Sequence, residues 1–190
     1  AMRRYSHAST PVVLLYDGRI TGEKNVHLLG PLLAALLQEH PAVRLLLVGD
    51  VSDAPAQVFG TGSGMRTSLE TAWHRFPETK ARTTLLPSLH RIELPDLYGA
   101  ADIFLNLSLN HDENFGYAQV EAMACGTPAI IVDAGAMVEV ADGAALISPL
   151  ERLSQAMTTI IENPALREDL VKKGLARAQK LSWRETASAF

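Results

Sequence analysis

Short apolar runs alternate with longer segments in which apolar residues recur every three or four positions. The apolar runs predict strands at residues 12–16, 43–48, 84–86, 103–107, 129–132 and 144–147. Because these runs are mostly continuous, they indicate strands buried on both faces, as in a parallel sheet covered by helices. The longer segments predict helices at residues 25–39, 65–76, 94–100, from about 115, 150–162 and 164–180. This order predicts an α/β fold, a doubly wound Rossmann-like parallel sheet of about six strands.

Polar residues concentrate in the loop that follows the fourth predicted strand, within residues 111–128, HDENFGYAQVEAMACGTP. Asp112 and Asn114 are suitable N-cap residues for a helix that starts near Phe115. Gly126 is placed where a glycine commonly ends a helix. A helix N-terminus behind a parallel strand presents free N–H groups and the positive end of the helix dipole. This segment therefore predicts a site for a phosphate or a polar sugar.

Two cations follow the first predicted strand, in GRITGEK at residues 18–24. Gly18 and Gly22 are expected to let the backbone turn tightly and approach a ligand. Arg19 offers a planar fork for phosphate, and Lys24 offers a point charge near the start of the next helix. The pair can neutralise a diphosphate. Two solvated loop cations are the alternative interpretation of the same spacing.

Glu113 and Glu121 lie eight residues apart around the start of the central helix. A carboxylate accepts hydrogen bonds from adjacent hydroxyls, so paired acids suit a sugar or a ribose. Acid pairs also hydrolyse glycosides. The alternative is a surface acid and a helix acid with no shared ligand. The sequence shows no clear Asp-x-Asp site for a metal.

Composition narrows the classes of partner. A chain of 190 residues is expected to form one domain. Its net charge of -4 and pI near 5.9 give no indication of nucleic acid or of an anionic membrane. A single cysteine excludes an internal disulfide and suits a reducing compartment. The expected location is the cytoplasm, and contact of the full-length protein with a membrane surface is left open.

Successive segments of the chain resemble the C-terminal, donor-binding domain of family 4 glycosyltransferases, which have the GT-B fold. The segments are GRITGEKN, LLLVGD, ELPDLYGAADIFLNLS, DENFGYAQVEAMACGTPAIIVD and ENPALREDLVKKGLARAQKLSWRETA. They cover nearly the whole chain in the family's order and spacing. The E-x7-E motif of that family is matched by Glu113 and Glu121.

The resemblance implies a role for each candidate residue. Glu113 would contact hydroxyls of the donor sugar, and Glu121 would hold the nucleotide ribose. Arg19 and Lys24 would bind the diphosphate, so the implied catalytic residues are Arg19, Lys24 and Glu113. The implied substrate-binding residues are Gly18, Leu89, Asn114, Phe115, Gly116, Tyr117 and Glu121. The backbone near Ser88 and Leu89 would meet the nucleobase. Pro87 departs from the family's usual Phe-Leu-Gly and removes an N–H there, which leaves the base preference open.

The implied function is sugar transfer with retention from a UDP- or GDP-linked nucleotide sugar, without a cofactor or metal. Residues 1–190 would form the donor domain, with the N-terminal acceptor domain lying outside this sequence. The expected partners are the nucleotide-sugar donor and that acceptor domain. Two alternatives use the same site: a nucleotide-sugar epimerase of GT-B fold and a non-catalytic nucleotide-sugar-binding module. A doubly wound regulatory domain is a third, although such a domain would be expected to carry acids where Arg19 and Lys24 lie.

Overall fold

A computed structural model describes residues 11–52, 64–109, 115–182 and 184–185. Within these residues six parallel strands form one sheet, in the order β3-β2-β1-β4-β5-β6. The strands are β1 Val13–Asp17, β2 Arg44–Val48, β3 Thr83–Leu86, β4 Ile103–Asn106, β5 Ala129–Val132 and β6 Leu146–Ser148. The predicted doubly wound parallel sheet of six strands is confirmed.

Eight α-helices connect or follow these strands in the described part of the chain. They are α1 Leu29–Glu39, α2 Met65–Arg75, α3 Pro77–Arg82, α4 Leu94–Ala100, α5 Tyr117–Ala124, α6 Met137–Ala141, α7 Leu153–Glu162 and α8 Pro164–Lys180. Shorter 3₁₀ turns lie at Gly22–Lys24, Val26–Leu28 and Leu150–Arg152. Among the described residues, no helix combines the length and the apolar character needed to cross a membrane.

Both faces of the sheet are covered by a core, as the continuous apolar runs require. Leu14 and Tyr16 of β1 pack on one face with side chains of α1 and α7. Leu15, between them, packs on the other face with Met123 of α5 and Tyr98 of α4. Every residue of β4 and β5 is buried. Side chains from one strand therefore serve both layers of helices.

The strand order places a topological switch point between β1 and β4. From β1 the chain moves outward through β2 to β3, then returns to β4 on the other side of β1 and continues to β6. At the amino edge the register is fixed by Asp102, whose Oδ2 accepts from the Val13 N–H at 2.7 Å. The crevice outside the carboxyl ends of strands at a switch point is the usual ligand site of such sheets.

The predicted start of the central helix is wrong by two residues. α5 begins at Tyr117 with Gly116 as its N-cap, rather than near Phe115 with Asp112 or Asn114 as the cap. Gly116 has φ +69°, and a Cβ there would lie 3.0 Å from the Gln119 side chain. Only glycine fits this left-handed, crowded position. The helix end is as predicted, because Gly126 has φ +77° and its N–H donates to the Met123 carbonyl at 3.0 Å.

The segment before α1 also differs from the prediction. α1 starts at Leu29 rather than near residue 25, because two 3₁₀ turns come first and Asn25 between them has φ +53°. Lys24 therefore ends a 3₁₀ turn and does not lie at the start of α1. Helices α3 and α6 were not predicted.

Candidate functional site

Three loops meet at the carboxyl edge of the sheet, beside the switch point. The loop after β1 contacts the loop after β2, because the Ile20 N–H donates to the Asp50 carbonyl at 3.0 Å. The same loop contacts the end of β4, where Asn25 Nδ2 donates to the Leu107 carbonyl at 3.1 Å. These bonds hold the predicted cation loop next to the chain that leads into α5.

Gly18 and Gly49 allow the first two loops to approach closely. Gly18 has φ +147° and Gly49 has φ +139°. A Cβ on Gly49 would lie 1.9 Å from the Gly18 carbonyl oxygen, which is far inside van der Waals contact. The Gly18 N–H donates to the Val48 carbonyl at 3.0 Å. Gly18 thus turns the backbone as predicted, and its own N–H is used in a hydrogen bond to β2. Gly22 is the first residue of a 3₁₀ turn.

Arg19 follows β1 at the carboxyl edge of the sheet and forms an ion pair with Glu23. Its guanidinium Nη2 lies 3.6 Å from Glu23 Oε1. The Arg19 side chain is 69% exposed, whereas that of Glu23 is only 8% exposed. The second carboxylate oxygen, Oε2, is buried and has no hydrogen-bond partner in the described part of the chain. Tyr16 fixes the backbone here by donating its hydroxyl to the Arg19 carbonyl at 2.7 Å. A buried carboxylate thus lies beside an exposed cation.

Glu121 of α5 reaches toward the end of β1 through Tyr98 of α4. The Tyr98 hydroxyl lies 2.6 Å from Asp17 Oδ2 and 3.3 Å from Glu121 Oε2. On its solvent side, Glu121 Oε1 lies 3.9 Å from Arg91 Nη2. The Glu121 side chain is 36% exposed, so it remains accessible to a ligand. Asp17, Tyr98 and Glu121 thus link β1, α4 and α5 at one edge.

Burial changes the acid–base properties of this cluster. It raises the pKa of Asp17, and the hydrogen bond from Tyr98 opposes part of that rise. Burial also raises the pKa of Tyr98 strongly, assisted by the hydrogen bond to Asp17 and the charges of Asp17 and Glu121. Tyr98 is therefore a neutral phenol and a hydrogen-bond donor at physiological pH. The pKa of Cys125 is raised by burial and by the charge of Glu121, so its thiol is not activated.

The start of α5 lies at the same edge, and its buried residue Gln119 is hydrogen-bonded to β4 and α6. Gln119 is fully buried and donates from Nε2 to the Met137 carbonyl at 3.0 Å. Asn106, the last residue of β4, donates to Gln119 Oε1 at 3.5 Å. Tyr117 is 61% exposed, and its ring lies 4.9 Å from that of Phe115 between centroids. The first N–H groups of a helix have no intrahelical acceptor, so this end can bind an anion.

The end of β3 completes the edge. Ser88 donates its hydroxyl to Asp50 Oδ2 at 2.8 Å, joining the segment after β3 to the loop after β2. Leu89 is half-buried and packs on the core layer that contains Tyr98. Pro87 is exposed. The segment predicted to meet a nucleobase therefore flanks the crevice on the side of β2 and β3.

The structure brings most of the predicted site residues to one edge of the sheet. They are Gly18, Arg19, Lys24, Leu89, Phe115, Gly116, Tyr117 and Glu121. Glu113 and Asn114 lie outside the described residues, so their predicted roles stay predictions. Within the described ranges, no group of three or more His, Cys, Asp or Glu side chains could hold a metal ion.

Sequence reasoning missed three contributors to this edge: Tyr98, Arg91 and Glu23. Tyr98 lies 81 positions from Asp17 and 23 from Glu121, so no local pattern joins them. Glu23 was within reach, since it stands four positions after Arg19, a spacing that commonly pairs charges in helical turns.

The family profile described as Glycosyl transferases group 1 matches residues 1–177 of this chain. The D-inositol 3-phosphate glycosyltransferase of Actinosynnema mirum is 34% identical over 100% of this chain and 45% of its own length. This chain spans less than half the length of this relative and of the D-inositol 3-phosphate glycosyltransferases of Kineococcus radiotolerans and Segniliparus rotundus.

Two solved structures share the fold. Sucrose-phosphate synthase from Thermosynechococcus elongatus has 26% identity and a TM-score of 0.74, covering 94% of this chain and 43% of its own. HepE of Anabaena in complex with UDP-glucose has 25% identity and a TM-score of 0.74, covering 96% of this chain and 50% of its own. The predicted half of a GT-B fold is thereby confirmed. Together with the profile match, this shows that the chain belongs to the glycosyl transferases group 1 family.

Proposed function

We propose that this chain is the donor-binding domain of a retaining family 4 glycosyltransferase that uses a UDP- or GDP-linked sugar. The observation that carries the proposal is the placement of two complementary groups after neighbouring strands at the switch point. Arg19 lies in the loop after β1, and Glu121 lies on the helix after β4. Their loops are tied together by the Asn25 bond to Leu107. Cations for a diphosphate thus flank a carboxylate for a ribose.

The proposed diphosphate site combines Arg19, Lys24 and the N-terminus of α5. Arg19 is largely exposed, so one edge of its guanidinium can face a phosphate while the other faces Glu23. Gly116 gives the start of α5 a left-handed backbone, and no side chain of the described residues caps this helix, so its first N–H groups are offered to an anion. Cleavage of the bond between sugar C1 and the diphosphate leaves negative charge on the leaving group. Fixed cations and N–H groups stabilise that charge most in the transition state, without a metal.

The nucleoside and the sugar of the donor extend in two directions from the proposed diphosphate site. Glu121 accepts hydrogen bonds from the ribose, and the base lies against the Ser88–Leu89 backbone at the end of β3. Glu113, ahead of α5, contacts the sugar hydroxyls. The acceptor is bound by the N-terminal domain of the parent protein, which contributes the other half of the cleft. The 25% identical HepE structure, which holds UDP-glucose, supports this class of donor.

Titration calorimetry in excess EDTA with UDP, GDP and ADP tests the proposal. Each of Arg19→Ala and Lys24→Ala removes charge-assisted contacts and should weaken binding of the preferred diphosphate by about 1.5–3 kcal/mol, tenfold or more. Arg44→Ala is the matched control, because Arg44 is exposed at the amino end of β2, on the opposite edge. Binding that requires magnesium or manganese would overturn the metal-free site, and equal losses in the control would overturn its location.

A further inference from the structure

One buried hydroxyl lies between two carboxylates at the edge of the crevice. The hydroxyl belongs to Tyr98, which is 1% exposed, and it is 2.6 Å from Asp17 and 3.3 Å from Glu121. A phenol carries a single hydrogen, so it cannot make two full hydrogen bonds at once. The two carboxylates therefore compete for the same donor.

Tyr98 itself is held rigidly. Its backbone carbonyl accepts the Thr127 hydroxyl at 2.6 Å, directly behind the end of α5. Its ring packs edge-on against Phe104 of β4, with centroids 6.0 Å apart. The hydroxyl is therefore a fixed point between the end of β1 and the second turn of α5.

Glu121 has a weaker hold on its other side. Arg91, the partner of Oε1, is 82% exposed and lies 3.9 Å away. Exposed ion pairs at such a distance restrict a side chain little. Among the described residues, Tyr98 is the buried group that lies within hydrogen-bond distance of the Glu121 carboxylate.

We propose that Tyr98 is a positioning residue that holds Glu121 Oε2, so that Oε1 is presented to a ribose hydroxyl, and that Asp17 competes for the same hydrogen. This inference rests on the proposed role of Glu121 as a ribose ligand, and it adds that Tyr98 sets the position of the Glu121 carboxylate. Substitutions at the two neighbours then act in different ways. Tyr98→Phe removes the donor and frees Glu121. Asp17→Asn supplies an amide N–H that can donate to the Tyr98 oxygen. The Tyr98 O–H then donates its hydrogen bond to Glu121 instead.

The test compares two ligands in calorimetry: UDP or GDP, whichever the wild-type protein binds more tightly, and its 2′,3′-dideoxy analogue. For Tyr98→Phe we expect the diphosphate to bind about fivefold more weakly, the worth of one net hydrogen bond, and the dideoxy analogue to be almost unaffected. Asp17→Asn should keep or strengthen diphosphate binding. Adding Tyr98→Phe to Glu121→Gln should cause little further loss.

The possible results separate the proposed function from the role of Tyr98. A wild-type protein that binds neither UDP nor GDP overturns the proposed function and this inference with it. Wild-type binding with equal losses for both ligands in Tyr98→Phe overturns the inference alone, since that pattern means a general structural role. A loss in Asp17→Asn as large as that in Tyr98→Phe also overturns it, because competition for one hydrogen predicts no such loss.

Discussion

Glu23 could act on Arg19 in two ways: it could orient the guanidinium toward a diphosphate, or it could neutralise its charge. Removing the charge of Glu23 distinguishes the two. Glu23→Gln keeps the size of a side chain that is 8% exposed and removes its charge. Arg19 Nη2 then loses a carboxylate 3.6 Å away and gains rotational freedom. If Glu23 presents Arg19 to the diphosphate, this variant should bind nucleoside diphosphate more weakly, although the overall charge has become less negative.

The expected strength of the Arg19–Glu23 interaction follows from the exposed fractions of the two side chains. Arg19 is 69% exposed, so solvent screens most of the attraction and the pair falls near the range of surface ion pairs. The burial of Glu23 moves it toward the upper end of that range. We expect a coupling of about 1 kcal/mol, which is about a fivefold change in the dissociation constant.

The assay is a double-mutant cycle in nucleotide titrations, with thermal unfolding of every variant. Glu23→Gln should weaken binding about fivefold in the wild-type background and less than about twofold in Arg19→Ala. Glu70→Gln, on the exposed surface of α2, is the control for charge. Equal losses in both backgrounds would mean that Glu23 acts on the fold rather than on Arg19. Tighter binding in Glu23→Gln would mean that Glu23 neutralises Arg19, and either result would refute the reasoning.

Three further predictions concern the same edge. Gly49→Ala should destabilise the fold by about 3 kcal/mol or more in thermal unfolding, because Gly49 has a positive φ and the added Cβ would overlap the Gly18 carbonyl oxygen. Gly99→Ala is the control, because a Cβ there meets open space and should not lower the free energy of unfolding. Glu121→Gln should weaken both nucleotide and nucleotide-sugar binding by about 1.5–3 kcal/mol, whereas Glu113→Gln should leave the nucleotide unchanged in calorimetry. Because burial raises the pKa of Asp17 above 3.8, the folded state binds that proton more tightly than the unfolded chain. The contribution of Asp17 to stability should therefore fall as pH rises from that value through the folded pKa. Over that range the stability of the wild type, measured by thermal unfolding, should fall relative to that of Asp17→Asn.

The strands and long helices were predictable because their signals are local. β5 consists of four fully buried apolar residues, and its predicted bounds are those observed. α8 begins behind Asn163, whose side chain accepts from the Leu166 N–H, and both its ends match the prediction. Burial of a strand on both faces and the capping of a helix both depend on residues that are close in sequence, so a local pattern reveals them.

The errors arise where distant contacts decide local structure. α6 is five residues long, and Arg177 of α8 donates to the Val140 and Glu139 carbonyls at its end. Such a helix depends on a partner far along the chain and leaves little periodicity to detect. The same holds at the site. The cations and Glu121 follow from position after strands, but the Tyr98 bridge depends on packing between α4, β1 and α5.

The central claim is that a nucleoside diphosphate binds at the carboxyl edge between β1 and β4. The most direct measurement is amide chemical-shift mapping by NMR during titration with UDP and GDP in EDTA. We expect the largest changes to cluster at Gly18, Arg19, Gly116, Tyr117 and Glu121. Changes concentrated at the opposite edge, around Val13, Arg44 and Asp102, or the absence of any saturable change, would contradict it.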